Sequence, residues 1–317
     1  MSNLERDPQE TACGGRSESA EGPARELLIG RDVVLGGPRG MKVTRTLPNR
    51  DRRMVGAWCF VDHYGPEPAS MRVPPHPHTG LQTVSWLLEG EVLHRDSIGS
   101  EQLIKPGGLN LMTAGRAISH SEESPQEAVL HGVQLWVALP DAFRHVEPSF
   151  DHHAVLPALT LPGVTVTVIA GELDGLVSPA RTYTPLVGAE MAFDDQARIR
   201  VPVRPDFEYG VITLSGGIDA DGVELDRGPL LYFGPGRSEL VFHARRPSRV
   251  LFLGGEPFEE ELVMWWNFVG RGHEEIERFR EEWSRGSEFG TVQGYDGDPL
   301  PAPALPATPL KPRGRRR

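Results

Sequence analysis

Two short motifs in the first half of the chain carry residue types that could bind a metal ion: His-Pro-His at residues 76–78 and His-Ser-Glu at residues 120–122. Alternate side chains of an extended strand point to the same face, so each motif projects two potential ligands to one side. A carboxylate buried among imidazoles is costly unless its charge has a partner, and a divalent cation supplies that partner. The sequence therefore predicts a metal site whose ligands are His76, His78, His120 and Glu122.

The alternative interpretation assigns these residues no chemistry. In that case His76 and His78 lie in a proline-rich surface loop, and His120 and Glu122 are an ordinary exposed pair. The distribution of histidine favours a site, because nine of the eleven histidines lie within residues 63–153. Two of these, His63 and His94, are expected to be hydrogen-bonded structural histidines.

The elements that would position the motifs are short strands. Runs rich in β-branched residues alternate with Gly, Pro and Asp, a pattern typical of an all-β sandwich or barrel. One helix is predicted at residues 272–283, where Ile276, Phe279 and Trp283 share a face and acidic residues occupy the first turn. The clearest predicted strands are Thr83–Leu88, Val133–Leu139, Val164–Ala170, Tyr209–Leu214 and Arg249–Leu253.

The composition favours a turn-rich cytoplasmic protein. Gly (36) and Pro (29) make up about a fifth of the 317 residues, which disfavours long helices. The net charge of −11, the lack of a long apolar run and the polar start of the sequence predict no direct contact with nucleic acid and no membrane association. Cys13 and Cys59 are isolated, so neither a disulfide framework nor a thiolate zinc site is expected.

Four segments are predicted along the chain. Residues 1–24 are small, polar and acidic and should form a disordered arm. Weak echoes between the two halves, such as TAGR at Thr113–Arg116 and GPGR at Gly234–Arg237, suggest two tandem barrels over residues 25–150 and 151–290. Residues 291–317 are proline-rich and basic, and should form an extended, disordered tail.

The stretch HPHTGLQTVSWLLEGEVLHRDSIGSEQLIKPGGLNLMTAGRAISHSEESP (His76–Pro125) resembles the signature region of the pirins, a bicupin branch of the cupin superfamily. FVDHYGP (Phe60–Pro66) and GEPFEEELVMWWNFVGR (Gly255–Arg271) also resemble pirin sequences, and the resemblance covers residues 28–285. It implies two tandem jelly-roll-like cupin barrels, with one mononuclear metal in the N-terminal barrel bound by His76, His78, His120 and Glu122. The implied metal is Fe(II), although the donor types also suit Mn, Ni, Cu or Zn.

The resemblance implies an iron-dependent dioxygenase that cleaves flavonols such as quercetin with O₂ and releases carbon monoxide. Glu122 would be the catalytic group that takes the proton of the flavonol 3-hydroxyl. A second implied function is regulatory: the iron oxidation state would set affinity for a transcription factor or a metabolic enzyme. Other cupin chemistry, such as isomerisation, is a third alternative, and a monomer is expected.

The sequence departs from the family pattern in two places, one in each half of the chain. Gln82 stands where most pirins have Glu, and is expected to be a structural group near the metal or to orient a water or substrate. In the second half, superposing the echoes places Pro202 and Arg204 opposite the first two ligands, and Val241 and His243 opposite the last two. The C-terminal barrel is therefore expected to lack metal ligands.

Overall fold

A computed structural model describes residues 24–35 and 41–315 of the chain. Residues 1–23 of the predicted N-terminal arm lie outside these described ranges. Within the described ranges, no helix has the length and apolar character that crossing a membrane requires.

The described residues form 25 strands and one α-helix. The first strands are β1 (Arg25–Leu28), β2 (Arg31–Leu35), β3 (Met41–Leu47), β4 (Trp58–Ala69), β5 (Arg72–His78), β6 (Leu81–Glu89), β7 (Val92–Asp96), β8 (Glu101–Ile104), β9 (Leu109–Thr113), β10 (Ile118–Glu123), β11 (Ala128–Ala138) and β12 (Ser149–His153). The later elements are β13 (Ala158–Leu161), β14 (Val164–Leu173), β15 (Leu176–Val177), β16 (Leu186–Phe193), β17 (Arg198–Pro202), β18 (Glu208–Ser215), β19 (Gly217–Ala220), β20 (Val223–Asp226), β21 (Leu230–Phe233), β22 (Glu239–Ala244), β23 (Ser248–Gly255), β24 (Val263–Trp265), β25 (Phe268–Gly270) and α1 (His273–Arg285).

Each half of the chain contains one large sheet and one four-stranded sheet. The N-terminal pair has the strand orders β12-β9-β6-β11-β4-β3-β2 and β5-β10-β7-β8. The C-terminal pair has the orders β1-β21-β18-β23-β16-β14-β13, with β15 beside β14, and β17-β22-β19-β20. Two sheets per half are the arrangement of a double-sheet jelly roll, so the all-β prediction of two tandem cupin units is confirmed.

The two large sheets pack against each other through their outer faces. One apolar cluster contains buried residues from β4, β6 and β11 of the N-terminal half and from β18, β21 and β23 of the C-terminal half. Two tryptophans reach across this contact: Trp58 Nε1 donates to the carbonyl oxygen of Val187 at 3.0 Å, and Trp86 Nε1 donates to Glu190 Oε2 at 2.9 Å. The contact between the halves is therefore both apolar and hydrogen-bonded.

The halves also exchange segments. Strand β1, at the start of the described chain, pairs with β21 of the C-terminal sheet, with Arg25 opposite Phe233. In return the hairpin β24-β25 joins the N-terminal half, where the Val269 amide donates to the Thr79 carbonyl at 3.1 Å. Strand β12 spans the predicted boundary at residue 150 and pairs with β9 of the N-terminal half. The domain boundaries predicted at residues 25, 150 and 290 therefore stay predictions.

Helix α1 confirms the predicted helix, but it begins one residue later and ends two residues later than predicted. It begins after Gly272 and ends at Gly286, which adopts a left-handed φ of 73° that suits glycine. Ile276 and Phe279 are buried on its inner face, and Trp283 packs partly against the same cluster.

The prediction of a disordered C-terminal tail is wrong for residues 291–315. This segment is extended, as its prolines require, but it packs on α1 and the β24-β25 hairpin. Leu310 is buried, Leu300 N donates to the Pro75 carbonyl at 2.8 Å, and Arg313 exchanges two backbone hydrogen bonds with Leu262. The leucines between the prolines supply apolar area, and the prolines reduce the entropy that ordering costs.

A buried carboxylate ties the end of this segment to both halves. Glu208, on β18, accepts hydrogen bonds from the Gly56 amide at 2.7 Å, the Tyr232 hydroxyl at 2.8 Å and Arg315 Nη1 at 2.7 Å. Arg52 Nη1 lies 3.8 Å from the same carboxylate, and both side chains are almost fully buried. We call Glu208 and these four partners the Glu208 junction.

Candidate metal centre

Strands β5 and β10 bring the two predicted motifs side by side. They are neighbouring antiparallel strands in which His76 is the register partner of His120. Among the described residues, one group of three or more His, Cys, Asp or Glu side chains has ligand atoms within 4.8 Å of one another, and it consists of His76, His78 and His120. All three side chains are buried. The structure thus brings together three of the four predicted ligands.

Backbone carbonyls orient two of the rings. His76 Nδ1 lies 2.7 Å from the Pro74 carbonyl oxygen, and His78 Nδ1 lies 3.1 Å from the Asn267 carbonyl oxygen. A carbonyl can only accept, so each Nδ1 carries the hydrogen, and a neutral imidazole then has its lone pair on Nε2. His78 Nε2 lies 3.2 Å from His120 Nε2, and one ring nitrogen of each of the three histidines lies within 4.8 Å of the others.

The burial of these rings keeps them neutral. Burial lowers the pKa of His76 to about 4, although the Pro74 carbonyl and the Glu122 carboxylate act in the opposite direction. Burial and the neighbouring imidazoles hold the pKa values of His78 and His120 well below 6.5. Neutral imidazole is the form that binds metals. Because a cation between converging nitrogen lone pairs removes their mutual repulsion, this donor set fits a divalent metal ion.

Glu122 lies beside this group and not within it. The register of β10 against β5 shifts between His120 and Glu122, which redirects the carboxylate. Glu122 is buried, and its Oε1 lies 3.4 Å from the Ser85 hydroxyl oxygen. The ligand atoms that lie within 4.8 Å of one another are those of the three histidines alone. Coordination by Glu122 therefore stays a proposal.

A row of polar side chains crosses the inner face of the large N-terminal sheet and reaches Glu122. Arg45 donates to both carboxylate oxygens of Asp62, at 2.7 and 2.8 Å, and the Ser85 hydroxyl lies 3.0 Å from Gln134 Oε1. The sequence signal is present but was missed: these residues occupy inward positions of strands that are otherwise apolar. The row consists of register partners on neighbouring strands: Arg45, Asp62, Gln134, Ser85, Asn110 and His152.

Gln82 takes no part in the histidine cluster. Gln82 and the inward-facing Ser85 are three residues apart on β6, and side chains an odd number of residues apart point to opposite faces of a strand. Gln82 therefore points to the outer face of the sheet. Its amide nitrogen donates to Thr113 Oγ1 and to the Arg181 carbonyl, both at 2.9 Å. Gln82 is therefore a structural link to the segment that precedes β16.

The aromatic residues divide between the two faces of the same sheet. Trp58 and Trp86 lie on the outer face, in the contact between the halves, and cannot line a pocket near the metal. Phe60 lies on the inner face, where it stacks on Trp136 with ring centroids 4.0 Å apart. The Trp136 ring is in turn nearly perpendicular to the His78 ring, with centroids 5.2 Å apart. Sequence reasoning did not single out Trp136.

The other candidate residues have structural surroundings. His152 Nδ1 lies 2.7 Å from Asn110 Oδ1, so this half-buried histidine belongs to the polar row. Cys59 is buried, and burial raises the pKa of its thiol to about 12, which makes it unreactive. His94 contacts the His120 ring of the cluster through their Nδ1 atoms.

His63 and His131 form a second buried pair, on the outer face of the sheet, with their Nε2 atoms 3.0 Å apart. Burial, with the Arg227 charge, lowers the pKa of His63 to about 3 and that of His131 to about 4. In the unfolded chain both pKa values lie near 6.5, so the unfolded state binds more protons between these limits. The neutral pair contributes stability that is complete above about pH 6.5 and lost as the pH falls towards 4.

We expect the free energy of unfolding to fall by about 1.4 kcal/mol per pH unit for each of these histidines below pH 6. Urea unfolding at pH 7.5, 6.0 and 5.0 measures the slope, with the His63→Gln/His131→Gln double variant for comparison. The variant should show a shallower slope. Equal slopes in the two proteins would contradict the assignment of acid sensitivity to this pair.

The interior of the C-terminal jelly roll is filled by apolar side chains. On β22, Val241 and His243 are partly exposed and point away from this interior, so the predicted alignment with the ligand positions is off by one residue. Pro202 ends β17, and Arg204 beyond it pairs with Asp206. The inward positions of β22 are Leu240, Phe242 and Ala244.

Comparisons with known proteins agree with this architecture. Residues 40–137 match the family described as Pirin, and residues 188–290 match the Pirin C-terminal cupin domain. The chain is 46% identical to a Pseudomonas aeruginosa protein named "Putative quercetin 2,3-dioxygenase PA1205", over 89% of this chain and 90% of that one. It is 39% identical to a Caulobacter vibrioides pirin-like protein, over 77% and 88% of the two chains. A crystal structure of quercetin 2,3-dioxygenase from Acinetobacter baumannii superposes with a TM-score of 0.86 at 41% identity, and the match covers 90% of this chain and 96% of that one.

Proposed function

The chain belongs to the pirin family, and from this premise we propose that it is a metal-dependent dioxygenase that cleaves flavonols such as quercetin. The observation that carries the proposal is the group of three buried, neutral histidines whose ligand atoms lie within 4.8 Å of one another. Two relatives that match most of this chain carry the name quercetin 2,3-dioxygenase, one of them as a putative assignment. The polypeptide thus combines a metal-binding donor set with similarity to proteins named for flavonol cleavage.

The residues that would hold the metal are His76, His78, His120 and Glu122. Three imidazoles and one carboxylate, without thiolate, suit Fe(II), and the same donors bind Mn, Ni, Cu or Zn. We propose iron as the resident metal, because the reaction consumes O₂. When bound, the metal lowers the pKa of the flavonol 3-hydroxyl and supplies a redox-active centre.

Glu122 is the base of the proposed reaction. Its carboxylate would take the proton of the flavonol 3-hydroxyl, since an ionised carboxylate beside the ligand histidines is an acceptor-only group. The Ser85 hydroxyl, 3.4 Å from Oε1, restricts the orientation of this carboxylate. Trp136, whose ring centroid lies 5.2 Å from that of His78, would form part of the apolar wall of the site. Phe60 would support it from behind, because the Phe60 ring is stacked on Trp136 and covered by the Arg45 guanidinium.

Aerobic turnover tests the proposal. Protein loaded with one equivalent of Fe(II) should consume quercetin and O₂ in equal amounts and release one equivalent of carbon monoxide. Absorbance, an oxygen electrode and carbon monoxide binding to reduced haemoglobin measure the three quantities. Absence of turnover at full occupancy with each of Fe, Mn, Ni, Cu and Zn would refute the dioxygenase. Capture of a protein partner by only the ferrous or only the ferric protein would then support the regulatory alternative.

We further propose that the protein works in the cytoplasm as a monomer. The isolated, buried Cys59 thiol is consistent with a reducing compartment. Size-exclusion chromatography with light scattering should give a mass near 34.9 kDa. A mass of twice that value at micromolar concentration would contradict the monomer.

A further inference from the structure

A chain of three side chains runs from a buried carboxylate to one of the ligand histidines. His120 Nδ1 lies 3.2 Å from His94 Nδ1, and His94 Nε2 lies 3.1 Å from Asp96 Oδ2. All three side chains are buried. The His94 ring is stacked on Phe150, with centroids 4.4 Å apart and planes inclined by 15°, so its orientation is held by packing. The contacts therefore form a continuous, fixed path from Asp96 to His120.

The carboxylate end of this path can only accept. Asp96 Oδ1 receives hydrogen bonds from the backbone amides of Ile98 at 3.1 Å and Ser100 at 2.9 Å. Two amide donors on Oδ1 stabilise the ionised carboxylate. Oδ2 is then a bare acceptor, and His94 Nε2, which faces it, must carry a hydrogen and donate.

The direction of the remaining contact follows from this end. In its neutral form His94 has one N–H, and when that hydrogen is on Nε2 the lone pair lies on Nδ1. The group that faces this lone pair is His120 Nδ1, which must therefore donate. The His120 lone pair then lies on Nε2, the atom that faces His78. Each hydrogen bond in the chain thus determines the next.

We propose that Asp96 and His94 are a positioning pair that fixes His120 in the tautomer able to bind the metal. This inference rests on the proposed function, since it assumes a metal at the histidine cluster. Backbone carbonyls orient His76 and His78. His120 is oriented instead by the His94 side chain. Which nitrogen of His120 can bind the metal therefore depends on the Asp96 carboxylate, which contacts His94. Partners of this kind stabilise ligand orientation and raise ligand basicity.

The substitution Asp96→Asn reverses the donor and acceptor roles in the hydrogen bonds from residue 96 through His94 to His120, with almost no change in side-chain shape. The asparagine oxygen keeps the two backbone amides, which directs its NH₂ group at His94 Nε2. His94 must then carry its hydrogen on Nδ1, where it meets the N–H of His120. To avoid this clash His120 moves its hydrogen to Nε2, and the ligand lone pair is lost.

The first experiment measures metal affinity. Competition with a chromophoric chelator for Co(II) and Zn(II) should show a loss of about 10–100-fold in Asp96→Asn. In a His94→Phe background, which keeps the stacking on Phe150, the same substitution should have no further effect. Unchanged affinity in Asp96→Asn, or an equal loss in the His94→Phe background, would overturn the relay. A wild-type protein that binds neither metal would refute the proposed metal site instead.

The second experiment reads the tautomer directly and needs no metal. Long-range ¹H–¹⁵N correlation spectra of the metal-free protein, labelled at histidine, distinguish an Nδ1–H ring from an Nε2–H ring. His120 should be the Nδ1–H form in the wild type and the Nε2–H form in Asp96→Asn. A general loss of packing would broaden all histidine signals and would not invert one tautomer. An Nδ1–H form of His120 in both proteins would overturn the proposal.

Discussion

Replacing His120 by alanine should abolish stoichiometric metal binding and, with it, quercetin turnover. His120 is the member of the cluster that faces both His76, across the strand pair, and His78, through the 3.2 Å contact of their Nε2 atoms. Removal of an outer partner of a metal ligand already costs about 10–100-fold in affinity, so loss of the ligand itself should exceed 100-fold. Metal analysis after gel filtration and the quercetin assay measure the two effects.

The matched control for this variant is His243→Ala. His243 lies on β22 of the C-terminal half, is partly exposed, and belongs to the outward-facing residues of its strand. This variant should retain wild-type metal content and turnover. Circular dichroism should show both variants folded, because neither residue belongs to the apolar clusters. One bound metal per chain in His120→Ala, at wild-type affinity, would remove the basis of the proposed function.

Replacing Glu208 by alanine should lower the free energy of unfolding by about 3–5 kcal/mol, the cost of removing one partner of a buried ion pair. The carboxylate is fully buried and accepts hydrogen bonds from Gly56, Tyr232 and Arg315. Its loss leaves the buried Arg52 guanidinium with less compensating charge. Because the junction joins both halves and the C-terminal segment, the transition measured by denaturant should shift as a whole.

An exposed ion pair provides the comparison for Glu208. Glu224 pairs with Arg245 on the surface of the C-terminal half, with side chains 72% and 67% exposed. Glu224→Ala should change stability by less than about 1 kcal/mol, since solvent screens such pairs. If Glu208→Ala were as mild as Glu224→Ala, the Glu208 junction would not be a determinant of stability.

The features that could be predicted from sequence are those with a local period. The i, i+2 spacing of His76 and His78 fixes a shared face on any strand, and the apolar stripe of α1 identifies its buried side. The predicted strands lie within or nearly coincide with β6, β11, β14, β18 and β23. Such patterns depend on near neighbours in the chain, so no tertiary information is needed to recognise them.

The features that could not be predicted depend on backbone atoms far away in the sequence, or on a few apolar residues in a segment whose composition is dominated by another residue type. The Asn267 carbonyl that orients His78 is 189 residues away, and a carbonyl oxygen has no residue type to reveal it. In the C-terminal segment the prolines dominate the composition, whereas Leu300 and Leu310 determine its packing. The tertiary fold determines whether such contacts form, and they produce no periodic pattern in the sequence.

Because β1 pairs with the C-terminal half and the β24-β25 hairpin packs on the N-terminal half, no single cut in the chain separates the two jelly rolls. A cut between β12 and β13 would leave one fragment carrying β1 without β21, and would deprive His78 of the Asn267 carbonyl. The other fragment would expose the edge of β21, an open template for pairing with foreign strands. A chimera that replaces one jelly roll by that of a relative must therefore move Arg25–Leu28 together with the C-terminal roll, and residues 263–315 together with the N-terminal one.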